Sequence, residues 1–176
     1  DRGLWTSDFV VWYPPVVETL WAPWRMKYLR GNPDASCFFC DYLRQRRDER
    51  NLILHRGRTC FAILNRFPYN SGHLMVAPLA HKGTLDKLGS EEMVELLELA
   101  GTMQSALDRF LKPHGYNLGM NLGRAAGAGV PGHLHLHVVP RWKGDTNFMP
   151  VVGGTKVMPM TLSELYRGLR RTMKTI

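Results

Sequence analysis

The stretch Gly132-His133-Leu134-His135-Leu136-His137-Val138-Val139-Pro140 constrains this chain more than any other. Histidine takes every second place from 133 to 137, with aliphatic residues between. Successive side chains of a strand point to opposite faces, so the run predicts a strand over 133–139. Three imidazoles would then stand in one row, and Leu134, Leu136 and Val138 would face a core. Gly132 and Pro140 bound the run, as strand punctuation does. Same-face neighbours lie roughly 6.5–7 Å apart, so adjacent histidines can share one metal or one phosphate, while the outer pair, about 13 Å apart, cannot. The plain reading is a half-buried strand whose wet face is histidine. Three groups that titrate near neutral pH are a poor choice for a face that need only be wet. Two chemical readings remain: a metal site, or an imidazole acting as nucleophile on phosphorus.

The rest of the composition bounds the partners. The 176 residues suit one domain with a real core. A net charge of +8 favours anionic ligands such as nucleotides. The basic residues are scattered, or gathered in Arg44-Gln45-Arg46-Arg47 and Arg167–Lys174, which makes nucleic acid an unlikely partner. Three cysteines form no framework of spaced pairs, so a reducing, cytoplasmic setting is expected. The most apolar early run, Phe9–Tyr13, is cut short by Pro14-Pro15 and cannot span a bilayer, so no membrane partner is expected. Residues 1–18 read as a leader or arm, and the aromatic, basic residues 19–30 as an ordered arm packed on the core or on a second subunit.

In chain order, Gly31-Asn32-Pro33-Asp34 signals a turn. A short amphipathic helix is expected near 40–47, and strands over 52–55 and 59–64 form a hairpin turned at Arg56-Gly57-Arg58. A third strand runs from His73 to Ala77 and ends at Pro78. Ser90 caps a long helix with Glu91 and Glu92 in its first turn. Met93, Leu96, Leu97, Ala100, Met103, Leu107, Phe110 and Leu111 recur at helical spacing and read as its core face. Pro113 and Gly115 stop the helix. Strands over 116–122 and 133–139 follow, joined by a glycine-rich loop, then a C-terminal helix over about 162–173. Strands and helices do not alternate as βαβ units, so the class is α+β with a mainly antiparallel sheet. The expected layout is a main domain over 19–160 followed by a C-terminal helix within 161–176.

Cys37-x-x-Cys40 places two thiols on one turn, which is half of a structural zinc site, a redox pair or a buried pair. Any second half must come from histidines. Cys60 sits in an apolar strand and reads as inert core. The loop from Asn121 to Gly132 leads straight into the histidines, and its glycines, Gly127 and Gly129 among them, let backbone amides approach a phosphate. It lacks the lysine and the strand–helix context of a P-loop.

The run His133-Leu-His135-Leu-His137-Val-Val resembles the signature of the histidine-triad superfamily of nucleotide hydrolases and transferases. Further similarity lies in Phe61–Arg66, Ser71–Pro78, Leu20–Arg25, and Pro140–Phe148, which is similar to the tail of the dinucleoside-polyphosphate branch. Together these cover roughly residues 20–160. The resemblance implies a mainly antiparallel five-stranded sheet with one long and one or two shorter helices, and a two-fold homodimer with the sheet continued across the interface. It implies that His135 is the nucleophile at an α-phosphorus, with His137 and His133 completing the catalytic triad. His137, His73, Asn65, Asn121, Gly127, Gly129 and Trp142 would bind the nucleotide. It also implies a structural zinc held by Cys37, Cys40, His81 and His133, with no organic cofactor. One departure is evident: Gly129-Val130-Pro131-Gly132 carries no hydroxyl where many relatives place Ser or Thr against the phosphate or leaving group. The loop is also one residue longer than in the hydrolase branch, as in a phosphorylase-like branch. The expected activity is cleavage of dinucleoside polyphosphates, with water or phosphate as acceptor. The alternatives are a nucleoside phosphoramidase, a non-catalytic nucleotide-binding module, and a catalytic metal at the triad.

Overall fold

The computed structural model describes residues 37–145 and 157–175. The leader, the arm, the first turn and the Thr146–Phe148 part of the tail motif lie outside the described residues.

Five strands form one antiparallel sheet in the order β1-β2-β3-β5-β4: β1 (Ile53–Arg56), β2 (Cys60–Leu64), β3 (Leu74–Pro78), β4 (Gly115–Gly119) and β5 (Leu136–Arg141). Among the described residues, four α-helices accompany them: α1 (Phe38–Gln45), α2 (Asp48–Asn51), α3 (Ser90–Leu111) and α4 (Leu162–Met173). The α+β class, the antiparallel sheet and the long helix match the sequence reading.

Alternation along the strands sorts the core into two layers. Cys60, Ala62, Leu64, Leu74, Val76, Leu136 and Val138 face α3 and α4, where they meet Leu96, Leu99, Ala100, Met103, Ala106, Leu107, Leu165, Tyr166 and Leu169. Ile53, Phe61, Ile63, Met75 and Ala77 face the other way, under Phe39 of α1. Both faces of β2 and β3 are therefore buried, which is why those strands are apolar without a polar alternation.

Helix α3 departs from the sequence reading in two places. Gly89, not Ser90, is the N-cap, and the Glu92 carboxylate accepts the Gly89 N–H at 2.7 Å. Ser90 is already helical. Met93 and Leu97, expected in the core, are 41% and 62% exposed. The buried stripe runs through Leu96, Leu99, Ala100, Met103, Ala106 and Leu107; Leu97 stands about 100° off it, and Met93 precedes it in the first turn. Helix α4 matches its expected span and opens on a capping box in which Thr161 and Glu164 exchange hydrogen bonds.

Two local features position the histidines. Gly72 has φ +76°, and a Cβ there would lie 2.7 Å from Leu111, so only glycine fits the turn that delivers His73 to β3. The second feature corrects the expected strand over 133–139. The β5 ladder begins at Leu136, paired with Val76, and His133 to His135 lie ahead of it. The backbone groups of that segment go elsewhere: the Leu134 N–H to the Lys82 carbonyl at 2.6 Å, and the His133 N–H to the Val130 carbonyl at 3.1 Å. The row still alternates, but only His137 is held by the sheet. Among the described residues, no helix is long and apolar enough to cross a membrane.

Candidate active site and metal centre

Histidines 133, 135, 137 and 73 lie on the Phe39 side of the sheet, and their hydrogen-bond partners fix which ring nitrogens carry protons. A carbonyl can only accept, so His133 Nε2, 2.8 Å from the Pro78 oxygen, is an N–H donor. Its Nδ1 is then a bare lone pair, 3.3 Å from Cys37 Sγ and 3.6 Å from Cys40 Sγ. His135 Nδ1 lies 2.8 Å from the His133 carbonyl and must also donate, which leaves the lone pair of His135 on Nε2. At His73 the logic starts from a donor: the Tyr69 amide gives its proton to Nδ1 at 3.0 Å. His73 Nε2 therefore carries a proton and donates it to His137 Nδ1 at 2.9 Å. The remaining nitrogen of His137, Nε2, is an N–H. The segment thus offers a lone pair toward the thiols, a second lone pair on His135, and a donor on His137.

These tautomers require neutral rings, and the surroundings keep them neutral. Burial, helped by His137 and His135, pushes His73 down to about 3. Burial and the neighbouring His135 push His137 down to about 4. His135 and His133 are also lowered, chiefly by burial and against the pull of the carbonyls they donate to. Phe39, fully buried, stands 5.0 Å from the His133 ring and 5.3 Å from His135. The His135 and His137 rings meet edge-on at 5.0 Å, and Tyr69 stacks on His73 at 4.7 Å.

Cys37, Cys40, His81 and His133 bring one ligand atom each to within 4.8 Å of one another. A tetrahedral zinc with Zn–S near 2.3 Å and Zn–N near 2.0–2.1 Å sets neighbouring sulfur and nitrogen about 3.5 Å apart. The observed Sγ–Nδ1 separations are 3.3 Å for Cys37–His133, 3.4 Å for Cys40–His81 and 3.6 Å for Cys40–His133. The residues fit a metal of that size and chemistry. Without a cation, burial and the neighbouring Cys37 push the Cys40 thiol up to about 11, so a bound metal would have to draw off its proton.

The other expected ligand residues are placed unevenly. Asn65 lies beside the His73 ring, its amide nitrogen 3.4 Å from Nε2, while its oxygen accepts the Phe67 N–H at 2.9 Å. Asn121 turns its amide into the loop, donating to the Gly127 carbonyl at 3.4 Å. The Gly127 amide is spent on the Arg124 carbonyl at 2.9 Å, so it does not point outward as the phosphate reading supposed. Gly129 stays on the loop ahead of His133. Trp142 lies beyond the end of β5, five residues past His137, or roughly 16 Å along a strand. It makes none of the ring contacts described around the triad. Sequence reasoning missed Phe39, Tyr69 and the Pro78 and Lys82 carbonyls. Phe39 lies inside the Cys37-x-x-Cys40 motif, and Tyr69 follows the turn that Asn65 opens, so both had a local signal. The two carbonyls had none.

Comparison with known proteins agrees with this geometry. The HIT domain family profile matches residues 46–144. A relative from Mycobacterium tuberculosis named AP-4-A phosphorylase is 39% identical over 184 aligned positions, covering 99% of this chain and 88% of the relative. Among solved structures, a zinc-bound histidine triad family protein from Mycobacterium smegmatis is 26% identical with a TM-score of 0.65, covering 80% of this chain and 94% of that one. A Plasmodium falciparum diadenosine triphosphate hydrolase, 17% identical with a TM-score of 0.56 over 72% of this chain and 76% of its own, shares the fold. Signature, fold and similarity agree, and the chain belongs to the HIT family.

Proposed function

We propose that this protein cleaves dinucleoside polyphosphates at the α-phosphorus through a nucleotidyl-histidine intermediate on His135. The observation that carries the reading is the tautomer of His135: its Nδ1–H is committed to the His133 carbonyl, which leaves an Nε2 lone pair with no proton to remove. A neutral imidazole is nucleophilic near pH 7 without a separate base. As Nε2 bonds to phosphorus, the bond to the bridging oxygen breaks and the shortened polyphosphate leaves. His137 Nε2–H, oriented by His73, can hydrogen-bond a non-bridging oxygen or the leaving one and so stabilise the charge that develops there. That supplies a donor where the 129–132 loop has no hydroxyl. An acceptor oxygen then attacks phosphorus and breaks the N–P bond, freeing His135.

The named relative supports diadenosine tetraphosphate as substrate and phosphate as acceptor. Asn65, beside His73, is suited to a ribose hydroxyl, and Asn121 and Gly129 belong to the loop that leads into the histidines, the side from which a phosphate would be approached. Product analysis tests the reading. With diadenosine tetraphosphate, a phosphorylase yields ATP and ADP in phosphate buffer, while a hydrolase yields ATP and AMP in either buffer. No cleavage under both conditions refutes the proposal.

We assign zinc to Cys37, Cys40, His81 and His133. It supplies a structural cross-link between the start of α1, the loop after β3 and the segment ahead of β5. Metal analysis should find about one zinc per chain, as a Cys₂His₂ site requires, and less in Cys40→Ser. The two thiols suit a reducing compartment, which supports the cytoplasm. Edge strand β4, with Leu118 49% exposed, supports a homodimer that continues the sheet, to be checked by sedimentation.

A further inference from the structure

The segment that carries the nucleophile is not held by the sheet. Because β5 starts at Leu136, His133 and His135 need other anchors, and those anchors converge on the metal cluster. Every polar group of His133 has a task. Its N–H is bonded to Val130 O, its ring Nε2–H to Pro78 O, and its Nδ1 faces the thiols of Cys37 and Cys40. Its carbonyl accepts the Nδ1–H of His135. The loop carrying His81 is fastened to the same segment. Leu134 N–H bonds to Lys82 O at 2.6 Å, and Lys82 Nζ pairs with Glu92 of α3 at 2.6 Å. The two loops approach closely at two glycines. A Cβ on Gly83 would lie 2.9 Å from the Pro131 carbonyl, and one on Gly132 would lie 3.1 Å from His81 Nε2.

From these contacts we infer that His133 is a positioning residue that couples the metal centre to the nucleophile: a ligand bond at Nδ1 fixes the carbonyl that sets the tautomer and aim of His135. The inference rests on the zinc assignment above. A metal that orients the nucleophile must in turn feel what the nucleophile touches, because linkage between two sites is reciprocal. Nucleotide on His135 therefore tightens the metal, and metal sharpens nucleotide binding.

The test uses the full chain with cobalt(II) in place of zinc and adenosine monophosphate as the probe. Cobalt in a Cys₂His₂ set gives visible d–d bands that report its ligand geometry. Adding the nucleotide should shift those bands, and should tighten zinc binding by about 5- to 150-fold, the usual range for coupled sites. In His135→Ala the shift should vanish while the nucleotide-free cobalt spectrum stays native. If cobalt is bound with native bands, the nucleotide binds, and neither bands nor zinc affinity respond, the coupling is refuted and the zinc assignment stands. If the four residues take up no metal, the zinc assignment falls and the coupling with it. If the nucleotide does not bind, the nucleotide reading on which the coupling is built is overturned.

Discussion

Replacing His73 probes the hydrogen-bond chain that sets the proton on His137. His73 is 1% exposed, receives the Tyr69 amide on Nδ1 and donates from Nε2 to His137. His73→Leu fills similar space but removes both bonds. His137 can then place its single proton on either nitrogen, and only the Nε2–H form faces the substrate as a donor. Leaving a buried partner unsatisfied costs about 1–3 kcal/mol. At about 1.4 kcal/mol per decade, that lowers kcat roughly 5- to 150-fold. Because the donor acts on charge that develops during reaction, kcat should fall and KM should change little. His73→Gln, whose amide can still donate to His137 Nδ1, should recover much of the rate. Steady-state kinetics on diadenosine tetraphosphate, with thermal unfolding to confirm the fold, decide the matter. A folded His73→Leu protein with native kcat refutes the chain of tautomers.

Two further outcomes follow from the same site. Phe39→Ala, which empties a fully buried position between Phe61, His133 and His135, should cost about 3–5 kcal/mol in denaturant unfolding; a loss under about 1 kcal/mol, the size of a surface change, would show that the layer under α1 is not packed as described. Acid should destabilise the metal-loaded protein: His73 and His137 sit near 3 and 4 when folded and near 6.5 when unfolded, so below pH 6.5 the unfolded chain takes up protons that the folded chain refuses. Stability should therefore fall from about pH 6.5 toward 4 by up to about 1.4 kcal/mol per pH unit for each histidine, and equal stability at pH 7 and 5 would contradict the burial of neutral rings.

Much of the site could be read from residue order because period-two alternation is a strong constraint. His133, His135 and His137 share one side, Leu136 and Val138 the other, and Cys37-x-x-Cys40 does meet two histidines. The limits are equally physical. Where β5 begins is decided by the Lys82 and Pro78 carbonyls, more than fifty positions earlier in the chain, which compete for the groups of His133 and Leu134. The tautomer of His133 depends on the Pro78 carbonyl and that of His137 on the distant His73, so no local pattern could assign them. Gly127 supplies a turn with φ +84° and spends its amide inside the loop, a use that composition cannot distinguish from a phosphate cradle. Met93 and Leu97 obey helical spacing within their own helix, yet the stripe facing the sheet is set by the strands beneath.

The central claim is a covalent bond between one imidazole nitrogen and phosphorus. The most direct measurement is rapid acid-free quenching of the protein with labelled diadenosine tetraphosphate, followed by peptide mapping. The account predicts one adenylyl group on His135, acid-labile and absent from His135→Ala. An active protein that carries the label on another residue, or turns over with no adduct at any time point, would contradict it.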